Sequence, residues 1–404
     1  MDVLDDHSSV RLDDVSEVVE SFLRANYVSL QLHSAIDLIS VASAFTKEQE
    51  SVFKHVVELN ICEARRSSLE YGIALEDIVS LDLCAMAIHM YSISGESATT
   101  GETEDANEGY DDSMQSSMAT HWDLPCASLE GLWNTLVFDD ELHLRLLDYV
   151  YTALLFSDKG VDPNIIGVNR VVLLYGPPGT GKTTLCRALA QKIAIRLSDR
   201  YTYGKLVELN AHAVFSKYFS ESSKLVMQLF QNLHELLNDD DTFVCVLMDE
   251  VESLTAARKS VASGLEPSDA LRVVNALLTQ LDRLRRRRNV LVMATSNITE
   301  AIDVAFIDRA DIKQFVGEPS EKAAYVILST CLKELMAKGI IRPLERLLSL
   351  NELDLLESPA SKRLFELCSK CRGMSGRTLR KLPFLAHSNY IQVCLGIIHH
   401  ATIF

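Results

Sequence analysis

The sequence predicts an α/β protein. Its central unit is a parallel sheet flanked by helices, with a small α/β unit before it and a helical domain after it. Three observations carry this. Between residues 122 and 318, short apolar runs alternate with amphipathic helical patterns, the order that builds a parallel sheet covered on both faces. A glycine-rich turn, Gly176-Pro177-Pro178-Gly179-Thr180-Gly181-Lys182-Thr183-Thr184, stands between one apolar run and the helical pattern after it. Beyond Pro319 the apolar runs stop and only helical periodicity continues.

Taken in order, residues 1–95 read as a small α/β recognition domain. Helical spacing marks residues 15–23 and 46–64, and residues 27–32 alternate as a strand does. Residues 78–93 are apolar enough for a buried strand or helix, and periodicity does not choose between them. No cluster of chemically active side chains occurs in this unit. Residues 96–121 shift to Gly, Ser, Thr, Glu and Asp, which is too little apolar surface to offset the entropy of ordering, so a flexible acidic linker is expected there. Order resumes at Trp122 with two helical patterns. Strands are then expected at 171–175, 205–209, 243–248, 290–294 and 312–316, with helices at 222–237 and 268–284. The last unit, 319–404, carries helical patterns at 321–337, 358–370 and 375–387.

Composition narrows the possibilities. A chain of 404 residues, 48% hydrophobic, is long enough for two or three domains with buried cores. Its net charge of −17 opposes a phosphate backbone and argues against direct nucleic-acid binding. No apolar run approaches the ~18 residues of a membrane span, and the acidic start Met1-Asp2-Val3-Leu4-Asp5-Asp6 lacks the features of a signal peptide. The nine cysteines are scattered and often inside apolar runs, as expected of reduced thiols in cytosol or nucleus. Cys368 and Cys371 form a C-x-x-C with no second pair to complete a zinc site, so packing is the expected role. Residues 283–288 hold five arginines at a helix end, where cations complement the dipole. A solvated face or subunit contact is expected there rather than a targeting or DNA-binding signal.

The chemistry concentrates at the carboxyl ends of the predicted strands. The glycine-rich turn has the G-x-x-x-x-G-K-[ST] form, strand before and helix after, of a phosphate-binding loop. Its glycines let successive N–H groups face one anion, and the helix N-terminus adds its partial charge. Lys182 suits the β- and γ-phosphates, and the Thr183 hydroxyl suits Mg²⁺. The run at 243–248 ends in Asp249-Glu250, with Asp249 placed for Mg²⁺ and Glu250 for polarising an attacking water. The next run ends in Ala294-Thr295-Ser296-Asn297, and Asn297 is a candidate for orienting that water. Arg309, between Asp308 and Ala310, and Arg377, after a plausible Ser375 N-cap, are candidates for the γ-phosphate charge.

Together, G-P-P-G-T-G-K-T, the apolar run ending in Asp-Glu, A-T-S-N, the block Ala305-Phe306-Ile307-Asp308-Arg309-Ala310-Asp311, and Met374-Ser375-Gly376-Arg377-Thr378-Leu379-Arg380-Lys381-Leu382-Pro383-Phe384 resemble an AAA+ ATPase. More narrowly they resemble the pachytene checkpoint remodellers, including the vertebrate thyroid-receptor-interacting homologues. The resemblance covers residues 122–404 with specific motifs and is weaker before them. It implies an AAA+ parallel sheet with a helical lid, ATP and Mg²⁺ as cofactors, and a homo-hexameric ring. Within that ring Asn297 is the first sensor, Arg377 the second, and Arg309 an arginine finger acting in trans. Many relatives of the wider class carry a further arginine where this chain has Phe306-Ile307-Asp308. Lys217-Tyr218-Phe219 falls where such remodellers place a pore loop, with Tyr218 as the gripping ring, and residues 256–268 resemble a second pore loop. The implied substrates are HORMA-domain proteins of the spindle checkpoint and meiotic axes, converted between closed and open forms through a HORMA-like adaptor bound by residues 1–95. A nuclear and cytoplasmic location follows, chromosome-associated in meiosis, with the kinetochore a further candidate. The rival readings are an AAA+ motor or loader on nucleic acid, and a nucleotide-gated scaffold without turnover, the latter disfavoured by Glu250.

Overall fold

The computed structural model describes residues 12–31, 34–42, 45–54, 56, 58–61, 78–80, 86–95, 119–162, 165–210, 222–253, 269–297, 302, 304–342, 345–350, 352–353 and 357–390. In chain order the elements are α1 (Leu12–Asn26), β1 (Ser29–Gln31), β2 (Ser34–Ile36), α2 (Leu38–Val41), α3 (Lys47–Phe53), β3 (Leu59–Ile61), β4 (Ile78–Ser80), β5 (Ala119–Leu124), α4 (Leu132–Thr135), α5 (Leu142–Asp158), β6 (Val171–Tyr175), α6 (Lys182–Arg196), β7 (Tyr203–Asn210), α7 (Ser222–Leu236), β8 (Thr242–Asp249), α8 (Asp269–Leu284), β9 (Val290–Ser296), α9 (Val304–Ile307), β10 (Ile312–Phe315), α10 (Glu321–Ala337), α11 (Pro359–Lys370) and α12 (Gly376–Tyr390).

The central sheet has the order β10-β6-β9-β8-β7-β5, parallel except for β5, which runs antiparallel along β7. Alternation along each strand builds two cores. Val171 and Leu173 of β6, Val244, Val246 and Met248 of β8, and Val292 of β9 face one layer closed by α7 and α8. Val172, Leu174, Cys245, Leu247 and Met293 face the other, closed by α5 and α6. Strands buried on both faces need apolar residues at every position, and β8 is buried from Thr242 to Met248. All parallel strands therefore end at one edge, where the motifs lie.

β5 corrects the expected linker. Ala119, Thr120 and His121 fall within the expected flexible segment, yet they pair with Leu209, Glu208 and Val207. Thr120 and His121 are polar, but an edge strand beside β7 is held by its backbone ladder, and it is anchored at its two ends by Ala119 in one core and Leu124 in the other. A second correction lies in the first unit. The expected helix over 46–64 is only α3, opened by a Thr46–Gln49 capping box. By Leu59 the chain has turned into a strand paired with Ser34–Ile36, a pairing that lets Leu59 and Ile61 pack on the core built by α1. α1 buries Val15, Val19, Phe22 and Leu23, and Phe45 stacks on Phe53 at 4.5 Å. The open question at 78–93 is settled for Ile78–Ser80, which pair with β1.

The terminal unit packs α10, α11 and α12 around Tyr325, Leu328, Leu364 and Leu379. The arginine run ends α8 and is tied inward. Arg285 bonds Asp282 and Asn169, Arg287 bonds Asn238, and the buried Arg170 donates to the carbonyls of Arg285 and Arg287. Cys368 is buried and Cys371 half-buried, and burial pushes the Cys368 thiol up to about 11, which suits packing rather than reactivity. Among the described residues no helix is long and apolar enough to cross a membrane.

Candidate functional site

The site begins where β6 ends. Gly176 lies so close to β10 that a Cβ would collide with the Val316 carbonyl, and Gly179 and Gly181 adopt φ of 78° and 95°. Those angles are left-handed and cost an L-residue energy that glycine avoids. Gly181 then opens α6, so the helix N-terminus faces the loop. Lys182 is buried, its Nζ donating to the carbonyls of Gly176 at 2.9 Å and Pro177 at 2.7 Å. Burial lowers its pKa. The carboxylates of Glu252 and Asp249 oppose that shift, and Arg377 adds to it. Thr180 closes the loop through a bond from its hydroxyl to the Pro177 carbonyl.

The β8 edge supplies the acids. The Thr183 hydroxyl lies 3.0 and 3.2 Å from the two Asp249 oxygens, and the Thr295 hydroxyl also bonds Asp249. One hydroxyl and one carboxylate are hard oxygen donors of the kind Mg²⁺ takes when phosphates and water complete its shell. Glu250 follows with φ 57° and is exposed. A non-glycine residue in this region is strained by ~1–3 kcal/mol, a strain typical of functional positions. Its N–H is 3.4 Å from the Thr295 hydroxyl, so β8 and β9 are linked at the edge itself. The Asn297 N–H donates to both oxygens of Glu252 at 3.2 Å.

Arg377 arrives from the terminal unit. Its N–H donates to the Gly179 carbonyl at 3.1 Å, and a Cβ on Gly179 would come within 2.7 Å of Ser375 Oγ. Ser375 also accepts from the Thr378 N–H, the bond expected of an N-cap. A cleft of about 570 Å³ opens between this contact, the loop and residues 135–139. That volume suits a nucleotide-sized ligand.

The structure thus gathers Gly176, Pro177, Pro178, Gly179, Thr180, Gly181, Lys182, Thr183, Thr184, Asp249, Glu250, Asn297 and Arg377 at one sheet edge. Arg309 is elsewhere. It precedes β10, and the following Asp311 bonds the N–H groups that start β6, so Arg309 lies at the opposite edge. The strand between is five residues, about 17 Å, longer than an arginine side chain. Asp282 holds its guanidinium through two bonds of 2.9 and 2.8 Å. In cis, Arg309 does not serve its own loop. Lys217, Tyr218 and Phe219, and residues 256–268, lie outside the described residues. Sequence reasoning passed over Glu252, although an acid two places after Glu250 was a visible signal. It also passed over residues 135–139, which carry no motif.

Comparison with known proteins follows the same outline. Residues 172–318 match the model of the ATPase family associated with various cellular activities, and residues 320–396 match the TRIP13-like AAA+ ATPase lid C-terminal domain. The Xenopus tropicalis pachytene checkpoint protein 2 homolog is 46% identical over 410 residues, covering 94% of this chain and 93% of the relative. The human homolog is 53% identical over 320 residues, 78% of this chain and 73% of the relative. The solved structure of C. elegans PCH-2 superposes with a TM-score of 0.73 at 31% identity, covering 95% and 91% of the two chains. An E. coli MS115-1 HORMA:CdnC:Trip13 complex shares the fold, with a TM-score of 0.51 at 21% identity over 67% of this chain and 89% of that one. Identity at this level along nearly the whole of both chains reflects common descent, and this chain belongs to the pachytene checkpoint protein 2 family of AAA+ ATPases.

Proposed function

We propose that the chain assembles as a homo-hexameric ring and uses ATP to convert HORMA-domain proteins between closed and open conformations, drawing a substrate segment into a central pore. The observation that carries this reading is the bond from the lid's Arg377 N–H to Gly179 of the phosphate loop. A contact between two bodies at the phosphate position lets the state of the nucleotide bias the angle between them, and such a change is what a motor transmits. Family membership, and a related complex in which a HORMA protein accompanies Trip13, support this substrate class.

Each residue has one task. The loop N–H groups and Lys182 bind the phosphates, with Lys182 leaving the two carbonyls it now caps. Thr183 and Asp249 would hold Mg²⁺, which when bound neutralises charge on the β- and γ-oxygens. Glu250 accepts a proton from the attacking water, Asn297 orients that water, and Arg377 with a neighbouring subunit's Arg309 stabilises the γ-phosphate charge. Tyr218, flanked by Lys217 and Phe219, grips the substrate. Residues 1–95 hold a HORMA-like adaptor over the pore, in nucleus and cytoplasm and on meiotic chromosomes.

The test is the full chain's ATP turnover with a HORMA-domain protein, and separately with duplex and single-stranded DNA. Stimulation by the HORMA protein alone is expected. Glu250→Gln should bind nucleotide and substrate but neither hydrolyse nor convert, and Tyr218→Ala should hydrolyse at the basal rate without converting. Stimulation by DNA alone, or full conversion by Tyr218→Ala, would overturn the reading.

A further inference from the structure

Residues 135–139 join the phosphate side of the molecule to the lid in a way no motif announces. Between the end of α4 at Thr135 and a 3-10 turn opening at Asp139 the chain is extended, with φ/ψ of −80°/126° at Leu136 and −126°/146° at Phe138. Extended chain sends alternate side chains to opposite sides. Here the two sides belong to different bodies. Leu136 and Phe138 pack on the core formed by α5, α6 and the sheet, whereas Val137 packs on the core of the lid. At one end, Arg380 of α12 donates to the Thr135 carbonyl. At the other, both Asp139 oxygens are engaged by Ser320, the N-cap of α10, through its hydroxyl at 2.5 Å and its N–H at 3.2 Å. All five residues of the segment line the cleft that Arg377 also lines.

We propose that residues 135–139 form a strap that sets the lid over the phosphate loop, with Asp139 and Arg380 as positioning residues acting through Arg377. The inference rests on the proposed role of Arg377 in ATP turnover. Arg377 reaches Gly179 only while the lid keeps its present seat, and the chain connection at 316–320 fixes where the lid is attached, not its angle. The strap supplies that constraint, because it holds α10 and α12 at two points on one stiff extended segment. Asp139 takes a hydroxyl and an N–H on a charged acceptor, a stronger arrangement than a neutral pair. Because the strap also forms a cleft wall, a nucleotide that presses on it acts on the lid directly.

The test uses the full chain with ATP, reading kcat and KM, alongside the distance distribution between spin labels on the lid and on α6. Asp139→Ala removes both bonds to Ser320 and is expected to lower kcat about tenfold or more, since one charge-assisted hydrogen bond alone is on that scale. It should also broaden the lid distances, while KM changes less than kcat. Asp139→Asn, which keeps one acceptor oxygen, should recover part of both. Arg380→Gln cuts the other tie at an exposed position and should act in the same direction, so the test survives if Asp139→Ala fails to fold. Combined with Arg377→Ala, neither variant should lower kcat further, since a positioning residue has nothing left to position. Unchanged lid distances in both Asp139→Ala and Arg380→Gln would overturn the strap. An Arg377→Ala protein with parental turnover would instead sink the role of Arg377 and leave the distance measurement to judge the strap.

Discussion

Glu252 shows how much one side chain can organise. Its two oxygens receive the Asn297 N–H, and its charge acts on Lys182 ahead of that of Asp249. It therefore ties the end of β9 to the segment after β8, between Asn297 and Lys182. Glu252→Ala should free the Asn297 turn and lower turnover about tenfold, the cost of a lost hydrogen bond to a charged acceptor. Nucleotide affinity should change little. Glu252→Gln, which keeps the acceptor and loses the charge, should fall between, and single-turnover kinetics beside nucleotide binding would separate the two effects. At Gly179 the constraint is steric. Gly179→Ala demands φ of 78° from an L-residue and places a methyl within 2.7 Å of Ser375 Oγ. The expected result is a folded protein whose lid is pushed off the loop. Nucleotide binding should weaken while the melting temperature shifts by only a few degrees, as a 1 kcal/mol change would give.

Elements carry the pH response. β5 is an edge strand, and His121 on it is half-buried beside Lys205, with Asp123 opposing. Burial, then Lys205, hold the imidazole below its usual value near 6.5. The folded state thus binds fewer protons than the unfolded chain as pH falls through that value. The stability involved is fully present above about pH 6.5 and declines below it. His234 on α7 is shifted in the same direction, chiefly by burial. Melting temperatures at about pH 7.5 and 5.5 should therefore show a loss in acid, and His121→Gln should reduce that loss without abolishing it. A pH dependence unaltered by His121→Gln would show that β5 tolerates the charge.

At the scale of the whole molecule, the two edges of the sheet point in opposite directions. The phosphate loop, Asp249, Glu250 and Asn297 occupy one edge, and Arg309, latched by Asp282, occupies the other. The proposed completion of the site by a neighbour's Arg309 makes turnover depend on assembly. ATP hydrolysis per subunit should rise steeply with protein concentration. Mixing Arg309→Ala with Lys182→Ala protein, each inactive alone, should restore activity, because some interfaces then pair an intact loop with an intact arginine. No recovery in mixtures whose subunits demonstrably exchange would count against action in trans.

Period and punctuation in the sequence were enough to place the parallel strands, the flanking helices, the phosphate loop and the acids after β8. In each case the signal is local: an apolar run buried on both faces, a glycine where the chain must turn, a carboxylate where the strand stops. Three features were not local. The start of β5 lies in a polar stretch of sequence and became strand because β7 offered it an unpaired edge. The arginine run looks like a free basic patch until Asp282, Asn169, Asn238 and Arg170 fold against it. Residues 135–139 carry no motif, since an alternation whose two sides belong to different bodies acquires meaning only when both bodies are in place. Sequence thus determined which residues gather at the glycine-rich loop and the strand ends beside it, through chain-local geometry. Tertiary structure alone decided how the lid is held above them and which edge Arg309 faces, because those depend on contacts between segments far apart in the chain.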